Sequence, residues 1–589
     1  MMFQLPALLA TLLWPALVTS YASTDSIQDA DPTQSGYLPN HKIDPNIIAS
    51  PSFGTLWTKA FNPQESFYAK PLTYTLNGGS EMVITASTLN IVRIHSSKTG
   101  DLIASRQLTP PFLQSDIGCT DIPNFIGITG TPLIDPATNI LYLFAKGYRG
   151  GAASGGLANG IYQMYALELP TLADVPGFPV LMDGNRADND PTRYFVGGTV
   201  LQRPALATAN GAILVAFGGH CDLFNYTGYV ASVSKTPGTG VLGLFAMEIS
   251  PGAPSPQPLD LLVEKGGKAG IWQSGMGIAV DGSRAFVVTG NGQGHANGNV
   301  PASGRLPLST LDECVVNLAV SAAGKMSLTD YFEPYDYVNM DAADQDLGSS
   351  GLCLLDKGTF RTSTVNRIGV TVGKNSKVYI MNADNLGGFK QGPGGTEGVI
   401  QTITTTNSVF GGVGSYPLEG GYFYFTPVGD VTYAYKFGTD DAGAPFFSMA
   451  GKTATRSAGR AGVGQPTITT NGGQPGSAIL WVTDVNTGLR AFRAVPDGNG
   501  ILQGINLPAT PGINKFQRPA FGDGRVFVTA GNRLIALGSP VNLPLQVLRI
   551  IENSLDEVVL RGEVGLERCD FVAFGVPEEE QGFGPDDAV

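Results

Sequence analysis

One pattern recurs along the chain: a Pro or Gly, a short run in which apolar and polar residues alternate, a turn rich in Gly, Asn or Asp, and then an apolar run of β-forming residues. Copies begin at Pro71 (PLTYTLNGGSEMVITA), Pro132 (PLIDPATNILYLFA), Pro204 (PALATANGAILVAF), Gly275 (GMGIAVDGSRAFVVTG), Gly369 (GVTVGKNSKVYIMN), Pro417 (PLEGGYFYFTPV), Pro466 (PTITTNGGQPGSAILWVT) and Pro519 (PAFGDGRVFVTAG). Alternation on either side of such a turn predicts a β-hairpin, because the left-handed turn backbone matches the twist of the paired strands. Most hairpins are followed by a third strand, as at Ile91–Ser96, Tyr162–Leu167, Leu489–Arg493 and Arg533–Leu537, and several by a fourth.

Eight units between about residues 52 and 540 take roughly 60 residues each, longer than compact ~40–45-residue propeller blades. The pattern predicts an all-β fold, an eight-bladed β-propeller; seven blades with an irregular insertion is the alternative. A parallel β-helix fits less well, since the unit lengths vary too much for stacked rungs. The last unit lacks a fourth strand, and Phe53–Phe61, ahead of the first unit, can supply it. Such closure removes free sheet edges. Two excursions interrupt the ring: 291–346, rich in Gly, Pro and Asp and expected on one face, and the Gly-rich loop tip 149–160.

The ends differ in character. Leu5 to Val18 is almost wholly apolar and Ser20-Tyr21-Ala22 offers small residues at a cleavage site, which predicts a signal peptide over 1–22 and secretion to the extracellular space or cell wall. Residues 23–50 form an N-terminal extension, 51–545 the propeller and 546–589 an acidic tail, read as a loosely attached helix followed by disorder. No other segment is apolar enough for a membrane span, so the expectation after cleavage is a protein without a membrane partner, and a monomer.

Composition narrows the functions. The chain has 589 residues with 78 Gly and 40 Pro, a density of turn formers that suits many short strands. A net charge of −13 and the lack of a basic run argue against nucleic acid. Five cysteines fit an oxidising compartment. Four lie in the body and allow three pairings; by neighbourhood the expected bridges are Cys119–Cys221 and Cys314–Cys353, with Cys569 left over. Asn225 begins a single N-glycosylation sequon.

In a propeller, residues at equivalent repeat positions form a ring around the axis. The positions before each repeat are Lys70, Thr131, Arg203, Ser274, Ile368, Tyr416, Gln465 and Arg518, with Trp272 and Gln273 alongside. Polar groups converging on one axis beside an aromatic ring suit a ligand pocket for a small molecule or carbohydrate; otherwise they fill the channel. His220 with Asp222, and His295, follow apolar second strands and emerge at a comparable end of the ring. Imidazole beside carboxylate suits a general base or metal ligand, or a structural histidine held by its loop. Asp330, Glu333, Asp336, Asp341, Asp344 and Asp346 collect oxygen ligands of the kind hard cations prefer, although no EF-hand spacing is present. The motifs of zinc proteases, thiol-redox proteins, serine hydrolases and P-loop enzymes do not occur.

The stretches GCTDIPNFIGITGTPLIDP (118–136), FGGHCDLFNYTGY (217–229), GGKAGIWQSGMG (266–277), VTGNGQGHANG (288–298), DYFEPYDYVNMDAADQDLGSSG (330–351), YIMNADNLGGFKQGPGG (379–395) and FQRPAFGDGRVFVT (516–529) resemble a group of secreted fungal proteins with a quinoprotein-alcohol-dehydrogenase-like propeller. The resemblance covers roughly residues 50–545 and implies eight blades, an extracellular location and, by analogy, oxidoreductase chemistry on an alcohol, sugar or secondary metabolite. The adjacent disulfide-bonded cysteines of the bacterial quinoprotein dehydrogenases have no counterpart here. On this reading Arg203, Trp272, Gln465 and Arg518 would hold pyrroloquinoline quinone, with calcium as its cation, and His220 or Asp222 would be the base. The competing expectation is a non-catalytic binding or scaffold propeller at the cell wall. A basic-lined pocket favours the first; a channel plugged by the protein's own side chains favours the second.

Overall fold

The hairpins pair as their alternation predicts. A computed structural model describes residues 26–39, 41–191, 193–224, 226–248, 268–292 and 310–540. The signal segment, the sequon asparagine Asn225, His295, Cys569 and the acidic tail lie outside the described residues. Eight antiparallel sheets follow one another around a ring. Blade 1 comprises Leu72–Thr75, Glu81–Ala86, Ile91–Ser96 and Leu102–Gln107. Blade 2 comprises Leu133–Asp135, Ile140–Tyr148, Gly160–Glu168 and Val180–Leu181. Blades 3 and 4 begin with Ala207–Ala209 and Ala279–Asp281, blades 5 and 6 with Cys353–Leu354 and Gly414–Tyr416, blades 7 and 8 with Thr467–Thr469 and Ala520–Phe521. The closing strand is as expected: Gly54–Ala60 pairs antiparallel with Arg533–Gly538 and completes blade 8.

Apolar residues from facing blades make the core. Leu214, Ala216 and Val230 of blade 3 pack with Ile278, Val287 and Val316 around blade 4, all buried. Two expectations need correction. Part of the 291–346 excursion is blade: Val315–Val320 and Met326–Glu333 are the third and fourth strands of blade 4. In blade 5 the Gly369 repeat supplies the second strand, Ile368–Val372, and the two-residue Cys353–Leu354 is innermost. Ile368 therefore does not stand in the ring. An inner strand of two residues is too short to show any period.

Cys119 and Cys221 form the expected disulfide, joining the loop before blade 2 to the loop after the second strand of blade 3. Cys314 and Cys353 are buried free thiols, contrary to expectation. Cys314 lies in the apolar layer between blades 3 and 4, and Cys353 in the layer between blades 5 and 6, so the sheets themselves separate the sulfurs.

The N-terminal extension is not an appendage. Its carbonyls accept hydrogen bonds from the inner strands of six blades in turn. Ser26 accepts from Thr73 (3.2 Å), Ile27 from Ile134 (2.8 Å), Pro32 from Val280 (2.7 Å), Thr33 from Leu354 (3.0 Å), Ser35 from Ser415 (2.7 Å) and Gly36 from Ile468 (2.8 Å). The Ser26 hydroxyl donates to Phe521 O of blade 8 (2.9 Å). Tyr37–Leu38 then pairs in parallel with the inner strand of blade 7. An innermost strand has one sheet neighbour and an open inner edge, and buried backbone N–H groups need acceptors. Residues 26–38 form a collar that provides them.

The cysteine assignment is directly testable. Alkylation of the native protein is expected to leave Cys314 and Cys353 unlabelled, and alkylation after denaturation without reductant to label both while Cys119 and Cys221 stay protected. Peptide mapping that finds a Cys314–Cys353 bridge would refute the assignment.

Candidate functional site

The polar ring separates into a plug and a mouth. In the plug, Lys70 Nζ donates to Gln28 O (3.0 Å) and Asp29 O (2.5 Å) of the collar. Arg518 is fully buried with Nε 3.5 Å from Asp29 Oδ2. Gln465 Nε2 reaches across from blade 7 to Ser274 O (2.5 Å), and Gln34 Oε1 accepts from Gly277 N (3.1 Å). Gln465, expected to hold a cofactor, is thus bonded to Ser274, while Arg518, expected to do the same, faces Asp29 with none of its guanidinium nitrogens hydrogen-bonded among the described residues. The collar that supplies Asp29 carries no repeat, which is why the repeat pattern does not show this partner.

Arg203 differs. It is buried, and its guanidinium donates only to carbonyls, those of Thr129 (3.1 Å), Tyr68 (3.4 Å) and Lys515 (3.4 Å). Among the described residues it makes no salt bridge, and burial lowers its pKa. Gly275, whose nitrogen donates to Trp272 O (3.2 Å), lies against this guanidinium. Arg203 therefore lies against the turn that follows Trp272, where the inner strand of blade 4 begins.

Trp272 is half-buried, and its Nε1 donates to Gly219 O (2.8 Å). Its ring fits against glycines: a Cβ on Gly270 would lie 2.5 Å from the indole, and one on Gly290 would lie 2.6 Å from it and 2.4 Å from Asp346 Oδ1. The Asp346 carboxylate and the indole edge thus flank the same glycine. Around them runs a polar chain. Tyr226 OH donates to Asp222 Oδ1 (2.5 Å), Asn291 Nδ2 to Asp222 Oδ2 (3.4 Å), and Asn291 N to Asp346 Oδ1 (2.8 Å). Lys374 Nζ pairs with Asp346 Oδ2 (2.5 Å) and Asp344 Oδ1 (3.0 Å). Burial, opposed by Lys374 and reinforced by Asp222, raises the Asp346 carboxyl above its usual range. Asn291 is buried and its Oδ1 has no hydrogen-bond partner among the described residues.

A second acidic group lies behind this one. Glu313 Oε2 accepts from Leu347 N (2.5 Å) and Asp341 Oδ1 from Gly292 N (2.9 Å). Burial and the neighbouring carboxylates raise both pKa values. Among the described residues no group of three His, Cys, Asp or Glu is arranged to hold a metal.

His220 and Asp222 part company. Asp222 belongs to the mouth. His220 is buried, with Nε2 2.8 Å from Lys146 Nζ and 3.1 Å from Val200 O. Lys146 also donates to Gly198 O (3.1 Å) and Val200 O (2.8 Å) and lies 4.3 Å from the Phe112 ring centroid. Burial and the adjacent ammonium hold His220 far below its usual pKa. His220 is therefore a structural histidine, and the expected role as base does not fit it. Sequence reasoning missed Asn291 and Lys374 as site residues. Asp346 carried a signal as part of the acidic stretch and Asn291 as part of the NGQGH motif, whereas Lys374 sits in a hairpin turn like many others.

No family model matches the sequence, and neither does any curated protein. Among solved structures, the quinohemoprotein alcohol dehydrogenase from Comamonas testosteroni is similar, with a TM-score of 0.58 and 12% identity over 89% of this chain and 82% of that one. The quinohemoprotein alcohol dehydrogenase ADHIIG from Pseudomonas putida HK5 gives 0.56 and 10% over 89% and 81%. A europium-containing methanol dehydrogenase gives 0.52 and 11% over 86% and 89%. The chain thus has the eight-bladed propeller fold of the quinoprotein alcohol dehydrogenases. Identities this low establish the architecture alone.

Two expectations follow from the site. Asp29→Ala leaves the Arg518 guanidinium buried and unpaired, and is expected to lower stability by about 3–5 kcal/mol in denaturant unfolding, against less than ~1 kcal/mol for Lys59→Ala at the exposed Lys59–Asp101 pair. His220 has a depressed folded pKa, so the unfolded chain binds its proton first. Stability from this group is full above the unfolded value near ~6.5 and falls, by up to about 1.4 kcal/mol per pH unit, as pH drops below it. His220→Gln should flatten the pH 7-to-5 stability profile relative to the parent; a parallel profile would count against a buried neutral imidazole.

Proposed function

We propose that the mouth of the propeller binds pyrroloquinoline quinone with a calcium or lanthanide cation and oxidises an alcohol. The observation that carries this is the orphaned Oδ1 of buried Asn291, set between the carboxylates of Asp222 and Asp346 beside the Trp272 ring. The Asp222 carboxylate and the Asn291 amide oxygen suit a hard cation. The fold likeness to quinohemoprotein and methanol dehydrogenases supports the same reading.

The residues divide the work by chemistry. Trp272 offers a flat face to a planar ring. Arg203, which has no carboxylate partner among the described residues, offers positive charge to an anionic ring system, and Lys374 holds Asp346 in place. Asp222 and Asn291 hold the cation. Asp346, a stronger base than a surface aspartate because burial and Asp222 raise its pKa, takes the hydroxyl proton of the alcohol. The bound quinone supplies the two-electron acceptor. An oxidising, extracellular setting is part of this proposal, supported by the Cys119–Cys221 bridge with its exposed Cys221 and by the apolar N-terminal segment.

The second reading is a non-catalytic scaffold, favoured by the collar and the Gln465–Ser274 contact that plug the axis. Titration with pyrroloquinoline quinone in the presence of calcium or lanthanum separates the two. Saturable quenching of tryptophan fluorescence is expected, weakened about tenfold or more by Asn291→Ala and by Lys374→Ala, with dye-coupled alcohol oxidation lost in Asp346→Asn. Absence of quinone binding by the parent with either cation would favour the scaffold.

A further inference from the structure

At the end of the ring where Trp272 stands, two aromatic side chains have no place in any blade. Phe410 precedes the inner strand of blade 6 and Phe516 that of blade 8. Their rings stack on each other, 6.1 Å between centroids at 21°, bridging over blade 7. Both are half-buried, and neither belongs to the apolar layers between blades among the described residues. Phe516 has φ +62°, a left-handed conformation unfavourable for a bulky residue. Its nitrogen donates to Gly462 O (2.9 Å), and the preceding carbonyl, that of Lys515, accepts from Arg203. The strained backbone is thus held on both sides, by the loop of blade 7 and by the buried arginine of the mouth.

The stack borders the site already described. Lys374 Nζ, which pairs with Asp346, lies 5.8 Å from the Phe410 centroid. The nearby charges are engaged: Lys374 with Asp344 and Asp346, and Lys515 with Asp121. The phenyl rings themselves offer no hydrogen bonds. A wall of this kind recognises flat apolar surface and leaves the hydroxyls of a sugar without partners.

We propose that Phe410 and Phe516 are specificity-determining residues that select an alcohol carried on a planar aromatic body, in preference to a polyhydroxylated sugar. This deepens the alcohol-oxidation reading and rests on it for the word substrate, but binding can be tested without turnover. The probes are naphthalen-2-ylmethanol and D-glucose, with ligand-observed NMR and calorimetry on the full-length protein. The aromatic alcohol is expected to bind more tightly than glucose, and Phe410→Leu and Phe516→Gly to weaken it roughly three- to tenfold, the range that one aromatic pair supplies.

Phe516→Gly also guards against misfolding as an explanation. Glycine adopts the left-handed conformation freely, so this variant is expected to melt no lower than the parent while binding the aromatic alcohol more weakly. A merely structural stack would lose stability and leave affinity unchanged. Unchanged affinity in both variants, tighter binding of glucose, or no binding of naphthalen-2-ylmethanol by the parent would overturn the proposal. Binding that depends on the two rings, in a protein that oxidises nothing when loaded with quinone and cation, would overturn the oxidoreductase reading and leave the aromatic wall standing.

Discussion

The inner edges of eight sheets face one narrow axis, and everything near that axis follows from the need to satisfy them. Each innermost strand spends one side on its own blade and leaves the other open. Water could fill such a channel, but this chain uses its own N-terminal segment. The carbonyls of Ser26, Ile27, Pro32, Thr33, Ser35 and Gly36 take the inner N–H groups of successive blades. A segment that binds seven of the eight blades also registers them against each other. With the closing strand Gly54–Ala60, it ties the start of the chain both to the centre of the propeller and to its last blade.

That plug decides where chemistry has room. Lys70 and Gln465 are drawn into the axis, where their donors meet collar carbonyls and Ser274, while Arg518 faces Asp29 at 3.5 Å with no hydrogen bond to its guanidinium among the described residues. Buried charges of this kind stabilise only as pairs. The remaining polar density stands where the inner strands begin, around Trp272. There the carboxylates of Asp222 and Asp346 meet around Asn291, with Lys374 paired to Asp346 and Asp344. The two carboxylates and the orphaned Asn291 amide oxygen beside the Trp272 ring are the physical basis for placing a ligand at the mouth.

His220 shows how the same residue type changes meaning with its surroundings. In a loop beside Asp222 an imidazole is a natural base. Buried 2.8 Å from the Lys146 amine, it is held neutral. Asp222, two residues on, faces the other way and joins Tyr226 and Asn291. A backbone in the left-handed region at Cys221 and Asp222 turns the chain between the two environments.

Period-two alternation and its punctuating turns were legible along the chain, because both are local: a strand's two faces and a hairpin's turn are written in adjacent residues. They pointed to the blade architecture and the closing strand; neighbourhood along the chain suggested the Cys119–Cys221 bridge but equally the absent Cys314–Cys353 one. Blade 5 was misregistered, since Cys353–Leu354 is too short to carry a period, and strands Val315–Val320 and Met326–Glu333 were hidden in a Gly- and Asp-rich stretch. Trp272 and Asp222 could be named as candidates from their motifs. Only the tertiary structure decided that Arg518 pairs with Asp29, that Cys314 and Cys353 lie on opposite sides of intervening sheets, and that Asn291, Asp346 and Lys374 meet at one place. These are contacts between segments tens to hundreds of residues apart, and no local pattern encodes them, because what brings the groups together is the closure of the ring.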